Sequence, residues 1–283
     1  MGGRRLLITG GSGYLGKALT HSASGHGYEV CATWLNNRPA DCPGVNWERA
    51  DLRKADELAA LVSRVRPEVV IHTAYSQNDR PVTYDGTARL AGECSRLEPP
   101  PFFIFVSTDL VYDGGVGEYS EDDEPVPLLD YGRDKLDAER TVRLKLPGAL
   151  VVRSSLMYDL ESLPGHLRFA TEKIAKGEEC VFFTDEYRSP VLVNELAGAI
   201  LALASLAHPG LLHLAGPDRV NRWWLGTHLL RAFGYPTDKV KPGSCRDQGL
   251  KRPPDCSLDS TRAEKLLGRR FTGAVEVLKE YDA

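Results

Sequence analysis

Hydrophobic and polar positions follow two rhythms along the first half of the chain. Val69-Val70-Ile71-His72-Thr73 and Phe102-Phe103-Ile104-Phe105-Val106 are runs with almost no polar interruption, the pattern of strands buried on both faces of a parallel sheet. Arg4–Ile8, Glu29–Trp34 and Ala149–Arg153 read as further strands. Between them lie segments with helical spacing: one opening after Gly13, then Lys54–Val65, ending near Pro67, then Gly86–Arg96 and Tyr131–Lys145. This βαβ alternation predicts an α/β fold, a Rossmann-type doubly wound parallel sheet with right-handed crossovers.

After Arg153 the rhythm loosens. Gly165–Lys176, Asn194–Ala207, Arg222–Phe233 and the segments beyond Ser260 look helical, separated by loops such as Lys251-Arg252-Pro253-Pro254. The expected organisation is a dinucleotide-binding domain over residues 1–157, to which 179–205 returns, and a smaller, mostly helical substrate domain made of 158–178 and 206–283.

The strand-like run Arg4–Ile8 leads into Thr9-Gly10-Gly11-Ser12-Gly13-Tyr14-Leu15-Gly16. Gly10 suits the tight strand-to-helix turn, Gly13 a close approach of the backbone to a pyrophosphate, and Gly16 close packing of helix on sheet. The helix N-terminus adds partial positive charge. Gly10, Gly13, Tyr14, Leu15 and Gly16 are therefore candidate cofactor residues, provided that a strand precedes the loop and a helix follows it.

Composition narrows the class. The chain has 283 residues, 42% of them hydrophobic and 26% charged, which fits an ordinary globular enzyme. Its net charge of −4 argues against nucleic acid or an anionic membrane as partner. Six cysteines are scattered without a Cys-x-x-Cys pair, so free thiols in a reducing compartment are expected, and no metal site. No run reaches membrane-spanning length. The first strand begins by Arg4, so no leader is expected, and Leu6 occupies the place where an N-myristoylation motif needs Ser or Thr. A cytoplasmic location follows as the expectation.

A second motif is Tyr131-Gly132-Arg133-Asp134-Lys135. Tyr and Lys at i and i+4 share one helix face, where an ammonium favours the phenolate and fits the phenol for general acid work. Lys135 is also a candidate to hold a nicotinamide ribose. Ser107-Thr108-Asp109 ends the strand before this helix, so a hydroxyl there can orient a carbonyl oxygen beside Tyr131. The competing reading of Thr108 is a hydroxyl that caps local backbone.

Taken together, Thr9–Gly16, Ser107–Gly114 and Tyr131–Lys135 resemble an extended short-chain dehydrogenase/reductase, nearest to the dTDP-4-dehydrorhamnose reductase branch. Ala74-Tyr75-Ser76 with Asp79, Asp185-Glu186-Tyr187-Arg188-Ser189-Pro190 with Glu195-Leu196-Ala197, and Arg252-Pro253 with Leu258-Asp259 resemble further stretches of that branch, so the likeness spans nearly the whole chain. It implies hydride transfer from a nicotinamide to a ketone of a small-molecule substrate. Thr108 would bond the carbonyl oxygen, Tyr131 would donate the proton, and Lys135 would tune Tyr131. It also implies cofactor contacts from Thr73, Ala74, Tyr75 and Ser107, with Asp51-Leu52 at the adenine edge, although Asp51 equally suits a helix N-cap. Asp109, Tyr75, Arg188, Trp223 and Arg252 are the implied substrate residues. Arg168 and Arg222 join Arg188 and Arg252 as candidates to grip a diphosphate, with Arg252 foremost.

The end of strand two selects the cofactor. Thr33-Trp34-Leu35-Asn36-Asn37-Arg38 has no carboxylate for ribose hydroxyls, and Arg38 can meet a 2′-phosphate. NADP(H) is expected, with NAD(H) as the alternative, and Trp34, Asn36 and Arg38 line that end. Three departures from the branch stand out. Thr83 occupies the place of an Asn that serves a proton relay, no Trp occurs in Arg153–Tyr158, and Trp34 is unusual near the adenine end. Trp223 or Trp224 would then have to supply the sugar-stacking surface. The run Tyr131–Glu139 resembles equally the regulatory β subunit of methionine adenosyltransferase, which implies a binding role toward that enzyme. The C-terminal run Val277–Ala283 is mixed and charged rather than apolar, which favours the enzyme reading. By analogy with the superfamily a homodimer is expected.

Overall fold

The computed structural model describes residues 3–281. Met1-Gly2 and Asp282-Ala283, on which the myristoylation reading and part of the C-terminal reading fall, lie outside the described residues.

Six strands in chain order, β1 (Arg4–Thr9), β2 (Tyr28–Trp34), β3 (Val45–Arg49), β4 (Val69–His72), β5 (Phe102–Thr108) and β6 (Leu150–Ser154), join Gly210–Leu214 in one sheet. Its order is Gly210–Leu214, β6, β5, β4, β1, β2, β3. The pairs β1–β2, β1–β4, β2–β3 and β4–β5 are parallel. This is the expected Rossmann-type sheet, and its order reverses between β1 and β4, where open α/β sheets bind their ligands.

The helices follow from burial on one face. In α2 (Ala55–Val65), Leu58, Leu61 and Val62 are buried. At i, i+3 and i+4 they pack with Leu7, Val70 and Leu90, each contributing roughly 1.5–3 kcal/mol by leaving water. β3 lies at the sheet edge with only half-buried and exposed residues, so it carries no apolar run by which it could be read from the pattern. The chain enters α3 (Thr87–Ser95) through a π-turn, Pro81–Gly86.

The chain forms two units. One comprises the chain up to Thr108, Asp130–Arg153 and Leu196–Leu212; the other comprises Asp109–Leu129, Ser154–Glu195 and the chain from His213. These boundaries differ from the expected ones. Asp109–Leu129 and Ser154–Met157 leave the first unit, and of 179–205 only the part from Leu196 belongs to it. The second unit has its own core, where Tyr158, Leu167, Phe182, Leu225, Leu229 and Leu278 meet. Its helices include α5 (Arg168–Ala175) and α7 (Arg222–Ala232), while most of α6 (Val193–Leu206) lies in the first unit.

Candidate active site

The glycine loop passes from β1 into α1 (Tyr14–Ser24). Gly10 has φ +74°, and a Cβ there would stand 2.7 Å from the backbone nitrogen of Ala74, in the loop after β4. A Cβ on Gly16 would meet the Gly10 oxygen at 2.1 Å, so any side chain there would force α1 off the loop. A Cβ on Gly13 would meet only that same oxygen, at 3.1 Å, and is otherwise open. Gly13 caps α1 without a side-chain bond, and the first turn has no acidic residue. A floor closed on the sheet side and open above Gly13 fits a pyrophosphate. Gly11, which the three-glycine pattern does not require, is demanded by packing, because a Cβ would collide with Ala32 and Trp47.

A buried polar chain anchors this loop from below. Thr73 Oγ1 donates to the Thr9 carbonyl at 2.8 Å. Thr9 Oγ1 bonds His72 Nδ1, and His72 Nε2 lies 2.8 Å from Thr87 Oγ1, whose own hydroxyl donates to the Thr83 carbonyl at 2.6 Å. Thr87 must therefore accept from Nε2–H, and because burial keeps the imidazole neutral, Nδ1 accepts from the Thr9 hydroxyl. Burial lowers the His72 pKa to about 3, and the charge of Lys135 adds to this. Thr83 Oγ1 continues the chain to the Ser76 carbonyl at 2.6 Å. At the position expected of a relay Asn, Thr83 thus ties the π-turn to the loop after β4.

The chemical face belongs to α4 (Asp130–Lys145). Its buried residues include Lys135 and Glu139, with few large apolar side chains. Lys135 is 2% exposed and donates to the Val106 carbonyl at 2.7 Å. Its Nζ lies 4.6 Å from the Phe105 ring centroid and 5.3 Å from that of Tyr75. Burial brings the Lys135 pKa down to about 7, against the opposing pull of Glu139. The Tyr75 and Tyr131 rings are 5.7 Å apart, with Tyr75 about half exposed. Thr108 is buried at the end of β5. Tyr131, Lys135 and Tyr75 are thus brought together, on the unit that carries the glycine loop.

Glu139, one turn beyond Lys135, escaped the sequence reading, although Tyr-x-x-x-Lys-x-x-x-Glu was visible. It accepts from Arg153 Nη2 at 2.7 Å in a buried ion pair and bonds Ser107 Oγ. Ser107, expected to touch the cofactor, is turned to Glu139.

At the end of β2 Trp34 is half-buried, and Asn36 and Arg38 beyond it are exposed. Arg38 pairs with Asp41 at 3.0 Å. Arg49, paired in register with Trp34, reaches the Leu35 carbonyl at 3.2 Å, a placement that only sheet pairing reveals. Asp51 is not a helix cap, since Lys54 occupies the cap of α2. Its carboxylate instead grips Arg53 through both oxygens at 2.9 and 2.8 Å, which lowers its pKa. Leu52 is buried beneath Gly86.

In the second unit the expected substrate residues divide. Asp109 is buried and accepts from Ser155 Oγ at 2.6 Å. Arg188 is buried, 3.0 Å from Glu186 and 3.7 Å from Asp109, and donates to the carbonyls of Tyr187 and Pro253. Those commitments tie the Asp-Glu-Tyr-Arg stretch to the Arg-Pro stretch and leave Arg188 little to offer a ligand. Asp185 likewise accepts from Ser244 Oγ and from the backbone of Cys245 and Arg246. Arg252 is half exposed, pairs with Glu186 at 3.4 Å and lies over Phe183. Arg168 is exposed on α5. Trp223 packs against the core, and its buried indole nitrogen has no hydrogen-bond partner among the described residues.

The sequence model of one family, described as the RmlD substrate binding domain, matches residues 4–281. The chain belongs to that family. It is a dTDP-4-dehydrorhamnose reductase-like branch of the extended short-chain dehydrogenase/reductases, a family of NAD(P)-dependent oxidoreductases. Among RmlD-type relatives, the probable low-salt glycan biosynthesis reductase Agl14 of Haloferax volcanii is 29% identical over 280 residues, covering 93% of this chain and 92% of that protein. Methionine adenosyltransferase 2 subunit beta of Danio rerio is 26% identical over 280 residues, covering 93% and 85%. The crystal structure of dTDP-4-dehydrorhamnose reductase from Bacillus anthracis in complex with NADP shares the RmlD fold at a TM-score of 0.81, with 21% identity and 99% and 98% coverage. Among the described residues no helix is long and apolar enough to cross a membrane.

Proposed function

We propose that the chain is an NADP(H)-dependent reductase of a ketone, most simply the 4-keto group of a nucleotide-activated sugar. The observation that carries this reading is the face of α4, where Tyr131 stands beside Tyr75 while Lys135 is held at the Val106 carbonyl. The glycine floor fits a dinucleotide, and NADP is the ligand of the Bacillus anthracis relative. The bound nicotinamide supplies the hydride. Tyr131 donates the proton to the carbonyl oxygen, and Thr108 offers a second hydrogen bond to it, so that both meet the developing alkoxide. Lys135 adds positive charge beneath Tyr131 and a donor for a ribose hydroxyl. Thr73, Ala74 and Tyr75 border the cofactor opposite the glycine loop. Arg38 and Arg49 flank the 2′-phosphate, with NAD(H) the weaker cofactor. The second unit serves the substrate, and the chain works in the cytoplasm.

The test is NADPH absorbance in the presence of dTDP-4-dehydrorhamnose and a panel of simpler ketones. Consumption with one keto sugar and not with the simple ketones supports the reading, and no consumption on any ketone refutes it.

A second reading has its own observation. The methionine adenosyltransferase subunit matches nearly the same span at similar identity. Under it the chain binds NADP(H) and a methionine adenosyltransferase without turnover. Size-exclusion chromatography decides, because a stable joint peak with that enzyme supports regulation. The same column, run with the chain alone, reports whether it forms the proposed homodimer.

A further inference from the structure

The loop after β4 carries Tyr75, and the π-turn Pro81–Gly86 follows it. Single-turn π segments often sit at functional sites. Two side chains of this region bear on the Tyr131–Lys135 pair.

The first is Thr83, which is buried. Its hydroxyl accepts from the Ser76 backbone nitrogen at 3.0 Å and donates to the Ser76 carbonyl at 2.6 Å. A hydroxyl has one proton, so the two bonds together fix its orientation and leave no proton for a relay. Thr83 is itself held in place. Its nitrogen donates to the Asp79 carbonyl at 2.9 Å, and its carbonyl accepts from Thr87 Oγ1 at 2.6 Å. From a buried position Thr83 thus pins the backbone one residue beyond Tyr75.

The second is Arg80, the residue before the π-turn. Its guanidinium pairs with Asp134 and, at 3.2 Å, with Asp137 of α4, and it lies over the Tyr84 ring at 4.3 Å. Asp134 stands between Tyr131 and Lys135 in sequence. The π-turn region therefore grips the loop of Tyr75 on one side and the helix of Tyr131 and Lys135 on the other.

What is positioned is a ring. Tyr75 lies 5.3 Å from Lys135 Nζ and 5.7 Å from the Tyr131 ring. Phe105, the other ring beside the ammonium, is fully buried, so Tyr75 is the one of the two that meets solvent. A ring face close to an ammonium both attracts it and takes the place of water.

We infer that Thr83 is a positioning residue for the Tyr131–Lys135 pair: its hydroxyl pins the loop at Ser76 and so keeps the Tyr75 ring against Lys135 and Tyr131. The effect on turnover rests on the reductase reading above. The coupling from Thr83 to Lys135 through Tyr75 does not, because it is built from contacts within the first unit.

The titratable groups around Lys135 are Glu139 and Tyr131 on its own helix, Tyr75 after β4, and His72 on β4, which stays neutral. Burial outweighs Glu139 in setting the Lys135 pKa, so admitting water raises it. The test follows Lys135 by 13C NMR of the lysine Cε positions, its signal assigned by loss in Lys135→Met. Wild type is compared with Thr83→Val, Thr83→Ser, Tyr75→Ala and the Thr83→Val, Tyr75→Ala double variant. Thr83→Val keeps the shape of the side chain and removes both bonds. It should raise the Lys135 midpoint by about one pH unit and lower kcat/KM for the ketone by about 10-fold. Tyr75→Ala should do the same, and adding Thr83→Val to it should change neither value further, because the effect runs through the ring. Thr83→Ser retains the hydroxyl and should match wild type. An unmoved Lys135 midpoint in Tyr75→Ala, a Thr83→Val effect that adds in full to it, or a Thr83→Ser protein that shifts Lys135 would each overturn the inference. Tyr75→Ala truncates a half-exposed ring and Thr83→Ser a single methyl, so both keep the test decisive should Thr83→Val fail to fold. Midpoints that move as expected in a protein that turns over no ketone would sustain the coupling while the reductase reading fails.

Discussion

Lys135 has the most unusual environment of any cation at the site. It is sealed at 2% exposure with a neutral carbonyl as its hydrogen-bond partner, so burial brings its pKa to about 7. Its ammonium is therefore lost as pH rises through about 7 in the free protein. If that charge assists Tyr131, kcat/KM for the ketone should fall along an alkaline limb that begins near pH 7. Lys135→Met should abolish the limb and lower kcat/KM by about 100-fold, within the range for proton-transfer assistance. A flat profile in wild type would separate Lys135 from catalysis. Glu139 answers to stability instead. Glu139→Ala removes the buried carboxylate that faces the Arg153 guanidinium, so it should destabilise by about 3–5 kcal/mol in urea unfolding. At this scale the Tyr-Lys spacing was legible because helical geometry is local. The partners of Ser107, Arg38, Arg188 and Asp51 were not, except where a neighbour in sequence such as Asp41 or Arg53 supplies the pair. Side-chain pairing over tens of residues leaves no local pattern, as Ser107 with Glu139 illustrates.

At the scale of elements, β1, β4 and the entry to α3 are riveted by His72. Its folded-state pKa is lowered, so the neutral imidazole stabilises the fold fully above the unfolded pKa near 6.5 and progressively less as pH falls toward 3. His166 contributes in the same direction. Wild type should therefore lose stability on acidification from pH 6.5, by up to about 1.4 kcal/mol per pH unit for each histidine. His72→Asn should be less stable at pH 7 and show a shallower acid slope in urea titrations at pH 7, 6 and 5. An equal slope would mean that His72 titrates normally. β4 and β5 were readable because central parallel strands are apolar on both faces. The edge strand β3 and the π-turn were not, since neither has a period that buries one side.

At the scale of the molecule, the sheet order places the glycine floor at the reversal between β1 and β4, and α4 carries Tyr131 and Lys135 in the same unit. The βαβ rhythm made that architecture legible. The unit boundaries were harder to read, because Asp109–Leu129 leaves the first unit straight after a β5 strand that belongs to it. The central claim is that Tyr131 delivers the proton in an NADPH-dependent reduction. The most direct measurement compares wild type with Tyr131→Phe, reading NADPH oxidation by the preferred ketone and NADPH affinity side by side. A fall in kcat of about 100-fold or more with NADPH affinity within a few-fold of wild type is the predicted result. Equal turnover by both proteins, or NADPH binding by wild type with no turnover for the mutation to remove, would contradict it.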